Sequence, residues 1–206
     1  MKINPVKRKE EDIIDIQKKS LAKVNLFLDI LSLRKDGFHE IKTIIAKIHL
    51  ADSLRFRLTD RSNIQISCSR NQIKNSENII FRIACFLKEK YKIKSGLDII
   101  LKKNIPISAG LGGGSSNAAV TIKMCNTLWD LHLSKNEMHT IAQKFGSDIN
   151  FFLEDGLVYL TGRGEEVRQK FITPTVENLL LVNPQIPISS KDAYLWTKIK
   201  PKQRVE

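Results

Sequence analysis

The feature that most restricts this chain is the run Pro106-Ile107-Ser108-Ala109-Gly110-Leu111-Gly112-Gly113-Gly114-Ser115-Ser116-Asn117-Ala118-Ala119. Four of the ten glycines in its 206 residues fall between positions 110 and 114. Lacking Cβ atoms, they leave backbone N–H groups unshielded and admit positive φ. Ala118, Ile122, Cys125 and Trp129 then recur at helical spacing, with Ser115 and Ser116 placed to cap the helix. A glycine turn feeding a helix N-terminus offers an anion both orphan N–H groups and the positive end of the helix dipole. The first reading is a phosphate cradle. Tight packing alone is the bland alternative, and the row of small residues followed by two serines and an asparagine weighs against it.

Two rival cradles fail on spacing. A P-loop requires G-x-x-x-x-G-K-[ST], and no lysine follows these glycines until Lys123. The dinucleotide fingerprint G-x-G-x-x-G fits only loosely, because Ser115 stands where its last glycine belongs. Asp130 lies about twenty residues on, but at the end of the expected helix rather than after a second strand.

The flanking chain reads as strands and helices that could hold such a loop. From Ser20 to Leu31 the residues alternate, Val24, Leu26, Leu28 and Ile30 on one side and Lys23, Asn25, Phe27 and Asp29 on the other. Arg34 to Glu40 is a turn around Asp36-Gly37, followed by Phe38 and His39. Ile41–Leu58 gives one or two strands interrupted near Ala51-Asp52-Ser53, and Asn63–Ser69 a short one. Ser76-Glu77-Asn78 opens a helix to about Tyr91 with Ile79, Ile80, Ile83, Ala84 and Leu87 inward. Asp98–Lys103 is a strand running into Pro106. Ser134-Lys135-Asn136-Glu137 is a capping box for a helix that stops at Gly146. Ser147-Asp148 reads as the cap of a further helix, Gly156–Val167 as a hairpin, and Leu179–Pro184 as a buried strand.

Three of these segments together resemble the kinases named for galactokinase, homoserine kinase, mevalonate kinase and phosphomevalonate kinase, the GHMP superfamily. The glycine run matches its P-x-x-x-G-L-G-x-S-S-x-A motif. Ala22 to Leu28 with Arg34-x-Asp36-Gly37-Phe38-His39-Glu40-Ile41, and the run Gly146 to Phe152, are most similar to one family within it, the 4-diphosphocytidyl-2-C-methyl-D-erythritol kinases. The resemblance implies an α+β fold, the GHMP kinase N-terminal domain with a ribosomal-protein-like core, over residues 18–172. It makes 1–17 an extension and 173–206 the start of a ferredoxin-like C-terminal domain.

It further implies ATP-dependent phosphorylation of the 2-hydroxyl of that cytidine diphosphate substrate, on the non-mevalonate route to isoprenoids. ATP would lie against Pro106, Gly110, Leu111, Gly112, Gly113, Gly114, Ser115, Ser116 and Asn117, with Mg2+ on its phosphates and Ser116 as a nearby oxygen. Asp148 is the implied acid/base, and Lys23 the cation that keeps it charged. Asn25, Phe38 and His39 are the implied substrate ligands, the last two for a cytosine ring. His49, His132 and His139 carry no such context and read as structural. Asn150 replaces the family's proline, which should loosen the backbone after Asp148. Gly162 to Glu165 match the family's G-x-G-E, and Ser189-Ser190 its Ser-Thr.

The chain stops at Glu206, where the resembled enzymes continue through a second domain with a third glycine-rich motif. The expectation is therefore weak or no activity alone, with self-association into a homodimer or larger species. With 42% hydrophobic and 27% charged residues the composition is that of a globular domain. The first twenty residues lack the apolar stretch of a signal peptide, and no run reaches membrane-spanning length. Cys68, Cys85 and Cys125 show no C-x-x-C pairing, so neither a disulfide framework nor a zinc site is expected, and the cytoplasm is the expected compartment. The net charge of +12 is spread along the chain apart from Lys7-Arg8-Lys9 and the tail 198–204. A solvated basic surface is favoured over nucleic-acid binding, and a basic RNA-binding module of the same fold is the alternative function.

Overall fold

The computed structural model describes residues 14–69, 77–171, 179–184, 186, 188 and 190–197. Ser76, Ser189, Lys7-Arg8-Lys9 and the basic tail lie outside them. Among the described residues six strands and five helices follow in the order β1 (Asp15–Leu33), β2 (His39–Thr59), β3 (Ile64–Cys68), α1 (Ile79–Lys90), β4 (Gly96–Lys102), α2 (Gly113–Leu128), α3 (Lys135–Phe145), α4 (Ile149–Leu153), β5 (Leu157–Thr161), β6 (Glu166–Phe171) and α5 (Ser190–Trp196). The α+β architecture, the positions of α1 to α4 and the β5–β6 hairpin match the sequence expectation, and α5 is an element it did not include.

The sheet runs β3-β4-β2-β5-β6, with β1 along the other edge of β2. β1–β2 is a long antiparallel hairpin, and only β3 and β4 are parallel, joined through α1. Alternation in β2 buries Leu54 and Phe56 and exposes Arg55 and Arg57, so one sheet face carries the core and the other meets solvent. Ile80, Ile83 and Leu87 of α1, Ile122 and Cys125 of α2, Ile141 of α3 and Ile149 and Phe151 of α4 close over that face. Each large apolar side chain fully buried this way contributes about 1.5–3 kcal/mol. Among the described residues the three cysteines are free, and no helix is long and apolar enough to cross a membrane.

Several expectations are corrected. β1 opens at Asp15, inside the expected extension. Its alternation breaks because the register shifts at Leu21/Ala22, Asn25/Phe27 and Ile30/Ser32. Each extra residue moves the following side chains to the opposite face. Ala22 and Lys23 are both buried, while Leu26, Phe27 and Leu28 are all exposed. Ile41–Leu58 belongs to one strand, its irregularity falling at His49-Leu50 rather than at Asp52. Leu179–Val182 is not a buried strand: it has no regular structure, and Leu180 is 89% exposed.

Asp52, deep in β2, fixes where the glycine run begins. Its carboxylate is completely buried. Oδ1 accepts the backbone N–H of Asn104 and of Ile105, both at 2.8 Å, and Oδ2 takes the Lys103 ammonium. Removing a partner from such a buried pair leaves an uncompensated charge. Asp52→Ala should therefore cost about 3–5 kcal/mol, read as a fall in the urea midpoint at unchanged slope.

Candidate active site

The glycine run leaves β4 through Ile105 and turns at Ser108, Gly110 and Gly112, whose φ values are 55°, 72° and 67°. Gly112 rather than Ser115 or Ser116 caps α2, in the left-handed region and with no side-chain cap. A Cβ at Gly112 would stand 2.8 Å from Phe152 Cζ and 2.9 Å from Lys23 Cγ, so the position needs both glycine's φ and its lack of a side chain. Lys23 N–H donates to Leu111 O at 3.0 Å, binding β1 to the loop.

Around this junction lies a cavity of about 1130 Å³. Loop residues 106–115 and Asn117 form one wall, and Lys23, Asn25 and His39 on the β1–β2 hairpin another. Asp148, Arg163, Gly164 and Tyr194 complete it. Of the residues singled out from sequence, Ser116 alone does not line it. Ser116 is buried and accepts the Ser20 hydroxyl at 2.7 Å, which turns it away from a ligand in the cavity. Asn117, in contrast, lines the cavity with its Oδ1 buried and unpartnered.

Lys23 is 8% exposed. Its ammonium donates to Asn25 Oδ1 at 2.5 Å, Asn25 Nδ2 donates to Thr43 Oγ1 at 2.7 Å, and Thr43 donates to Phe27 O at 2.7 Å. This relay fixes the Asn25 amide and aims the lysine. Burial lowers the Lys23 pKa below that of an ordinary lysine, opposed by the Asp148 carboxylate. Asp148 forms no ion pair with Lys23 within 4 Å; the two act on each other across the cavity. Asp148 stands at the N-cap of α4 but in helical conformation, φ −68° and ψ −14°, and its side chain does not cap the helix. Its carboxylate stays available to the cavity, which it lines beside Gly164.

Phe38 and His39 separate. The Arg163 guanidinium sits 4.6 Å from the centre of the Phe38 ring. His39 stacks on Tyr194 at 5.3 Å and an interplanar angle of 17°. The phenol of Tyr194 has its pKa raised by burial and by Asp148. Sequence reasoning missed Lys103, Arg163 and Tyr194. Lys103 carried a signal, a cation at the end of the strand that feeds the loop. Tyr194 carried none, being brought in by α5, while Ile188 N–H donates to Ser108 O of the glycine run at 3.1 Å.

Comparison with known proteins follows the same lines. Residues 78–156 match the family model described as GHMP kinases N terminal domain. The chain is similar to 4-diphosphocytidyl-2-C-methyl-D-erythritol kinase of Thermoanaerobacter pseudethanolicus, 42% identical over 186 residues, which are 89% of this chain and 63% of that one. The enzyme of that name from Prochlorococcus marinus is 41% identical over 85% of this chain and 57% of its own length. A crystal structure of 4-(cytidine 5'-diphospho)-2C-methyl-D-erythritol kinase superposes with a TM-score of 0.65 at 32% identity, over 74% of this chain and 54% of that one. The chain thus spans about three fifths of the length of the curated relatives it matches.

The coupling of the two charges sets a measurable sign. Asp148 raises the proton affinity of Lys23, so Asp148→Asn should make the ammonium lose its proton at lower pH than in the parent chain. A side-chain NMR titration of Lys23 reads the shift, and no movement would show that the two groups do not interact.

Proposed function

Because the chain belongs to the GHMP kinases, whose N-terminal domain it carries, we propose that it transfers the terminal phosphoryl group of ATP to the 2-hydroxyl of 4-diphosphocytidyl-2-C-methyl-D-erythritol. The observation that carries the reading is a single cavity holding a glycine loop at a helix N-terminus, a buried lysine and an uncapped carboxylate. That combination meets the needs of phosphoryl transfer: a cradle for the donor, countercharge, and a group to orient the acceptor hydroxyl.

In this mechanism ATP supplies the transferable phosphoryl group and leaves as ADP. The amides that open α2, together with the loop ending at Gly112, bind the donor phosphates. Asn117 Oδ1, buried and unpartnered, is free to accept from a ligand. Lys23, aimed by Asn25 and Thr43, offsets the negative charge that spreads over the transferring oxygens. Asp148 holds the substrate hydroxyl and takes its proton as the new P–O bond forms. His39 and Tyr194 offer stacking surface, and Arg163 beside Phe38 offers positive charge toward a diphosphate. Among the described residues no cluster of three His, Cys, Asp or Glu side chains could hold a metal ion. Mg2+ would be held by the donor phosphates and water with at most one or two carboxylates, as this ion commonly is.

Two variants test the assignment in an assay of ADP release dependent on the cytidine substrate. Asp148→Asn should lower kcat by about 10²–10⁴, the usual worth of a positioned base, with the KM for ATP little changed. His39→Ala should weaken the cytidine substrate by about 1–3 kcal/mol and leave ATP unaffected. Turnover by Asp148→Asn equal to the parent would remove the carboxylate from the chemistry, and equal loss for both ligands would make His39 structural.

A further inference from the structure

Outside that cavity, a chain of buried polar groups grips the helix that begins at Asp148. Asn150, two residues on, is fully buried in α4. Its Oδ1 lies 3.0 Å from Nδ1 of His139 on α3. The other ring nitrogen, Nε2, lies 2.7 Å from Oε1 of Glu154, the C-cap of the same helix. One imidazole therefore holds α4 at both its first turn and its end. The expected loosening at Asn150 is replaced by a tether.

A five-residue helix needs such help. Segments this short do not hold themselves together in water, and Asp148, which could have capped α4, leaves its carboxylate to the cavity instead. The rest of the grip on Glu154 is ionic. Lys135 on α3 contacts its Oε2 at 2.7 Å, and Lys170 on β6 contacts the same oxygen. Burial works against the Glu154 charge, yet the donors Lys135, Lys170 and His139 outweigh it and hold the carboxyl well below its usual range, at about 2. Glu165 stands on the rim of this cluster.

The Asn150 amide accommodates either protonation state of the ring. A doubly protonated imidazole donates from Nδ1 to Oδ1 and from Nε2 to Glu154. A neutral ring keeps the Glu154 bond and accepts at Nδ1 once the amide turns over and presents Nδ2. Nδ2 is buried without a partner in the observed orientation, so turning it toward Nδ1 satisfies a donor that now has none.

We propose that His139 is a positioning residue for Asp148: by bridging Asn150 and Glu154 it fixes the short helix α4 against α3 and so sets where the Asp148 carboxylate stands in the cavity. The catalytic meaning of that position rests on the kinase reading; the brace itself does not.

The test uses the full chain with His139→Leu, Asn150→Leu and the double variant. Hydrogen exchange of the amides 148–153 should rise about tenfold or more in His139→Leu, which strands a buried amide, with the amides of α1 unchanged. The double variant should recover part of that protection, because the buried Asn150 amide is no longer left unpaired, while Glu154 Oε1 still lacks its His139 donor. The Lys23 titration should move to lower pH in His139→Leu, as the carboxylate that supports its charge is displaced, and kcat should fall with the KM for ATP unchanged. Exchange and Lys23 titration both identical to the parent would overturn the proposal whatever the kinase assay gives. If both move as expected but the parent chain shows no phosphoryl transfer, the brace stands and the kinase reading falls.

Discussion

Three elements meet at the Cα of Gly112, and the site depends on that meeting. The strand carrying Lys23 approaches from one side and Phe152 of α4 from the other, both within 3 Å of where a side chain would begin. A left-handed φ of 67° lets the loop turn there directly into α2. The distance between the lysine wall and the aspartate wall is thus set by a residue that contributes no side chain. The Lys23 N–H bond to Leu111 O and the Asp52 bonds to residues 104 and 105 secure the two ends of the run.

The strand irregularities serve the same junction. Ala22 and Lys23 face opposite ways in β1, and both are buried. The two additional residues in β2, His49 and Leu50, interrupt the pairing just before them without breaking that alternation: Val24 stays on the side of Ala22, and Asn25 on the side of Lys23. Ala22 then packs with Ile105 and Leu111 beneath the loop, while Lys23 reaches the cavity. The further bulge at Leu26 leaves Phe27 and Leu28 exposed on the projecting arm of the hairpin.

These details mark where the sequence stopped being legible. Periodicity and local caps were enough for α1, for the Ser134 capping box with its reciprocal Glu137 bonds, and for the hairpin of β5 and β6. Each is decided by residues within a few positions of one another. The glycine run announced a loop and a helix start, but the cap went to Gly112, because φ there was fixed by packing against Phe152 and Lys23 rather than by a hydroxyl. Bulges left no periodic trace, since one inserted residue looks like noise in a two-residue repeat. Leu179–Val182 had the composition of a core strand, yet composition says nothing about whether a neighbouring strand is there to pair with it. His139 was unreadable for a similar reason: its partners Asn150 and Glu154 lie eleven and fifteen residues away, on another helix.

The charges of the cavity complete the picture. Lys103 is neutralised by Asp52, and Arg163 is turned to Glu165 and the Phe38 ring. Lys23 is different, because its close partner is the neutral Asn25 amide and, among the described residues, the carboxylate acting on it is Asp148 at longer range. Burying an ammonium with so little compensation is costly, which is why its proton is held less tightly than an ordinary lysine's. A closer ion pair with Asp148 would relieve that cost but would tie up both groups. Holding the two apart, each fixed from behind by its own network, Asn25 and Thr43 for one and α4 for the other, keeps a positive and a negative charge available on opposite walls of one cavity. An anion seated at the start of α2 would offset the remaining cost on Lys23 without drawing on Asp148, and the carboxylate would be left to hold a hydroxyl.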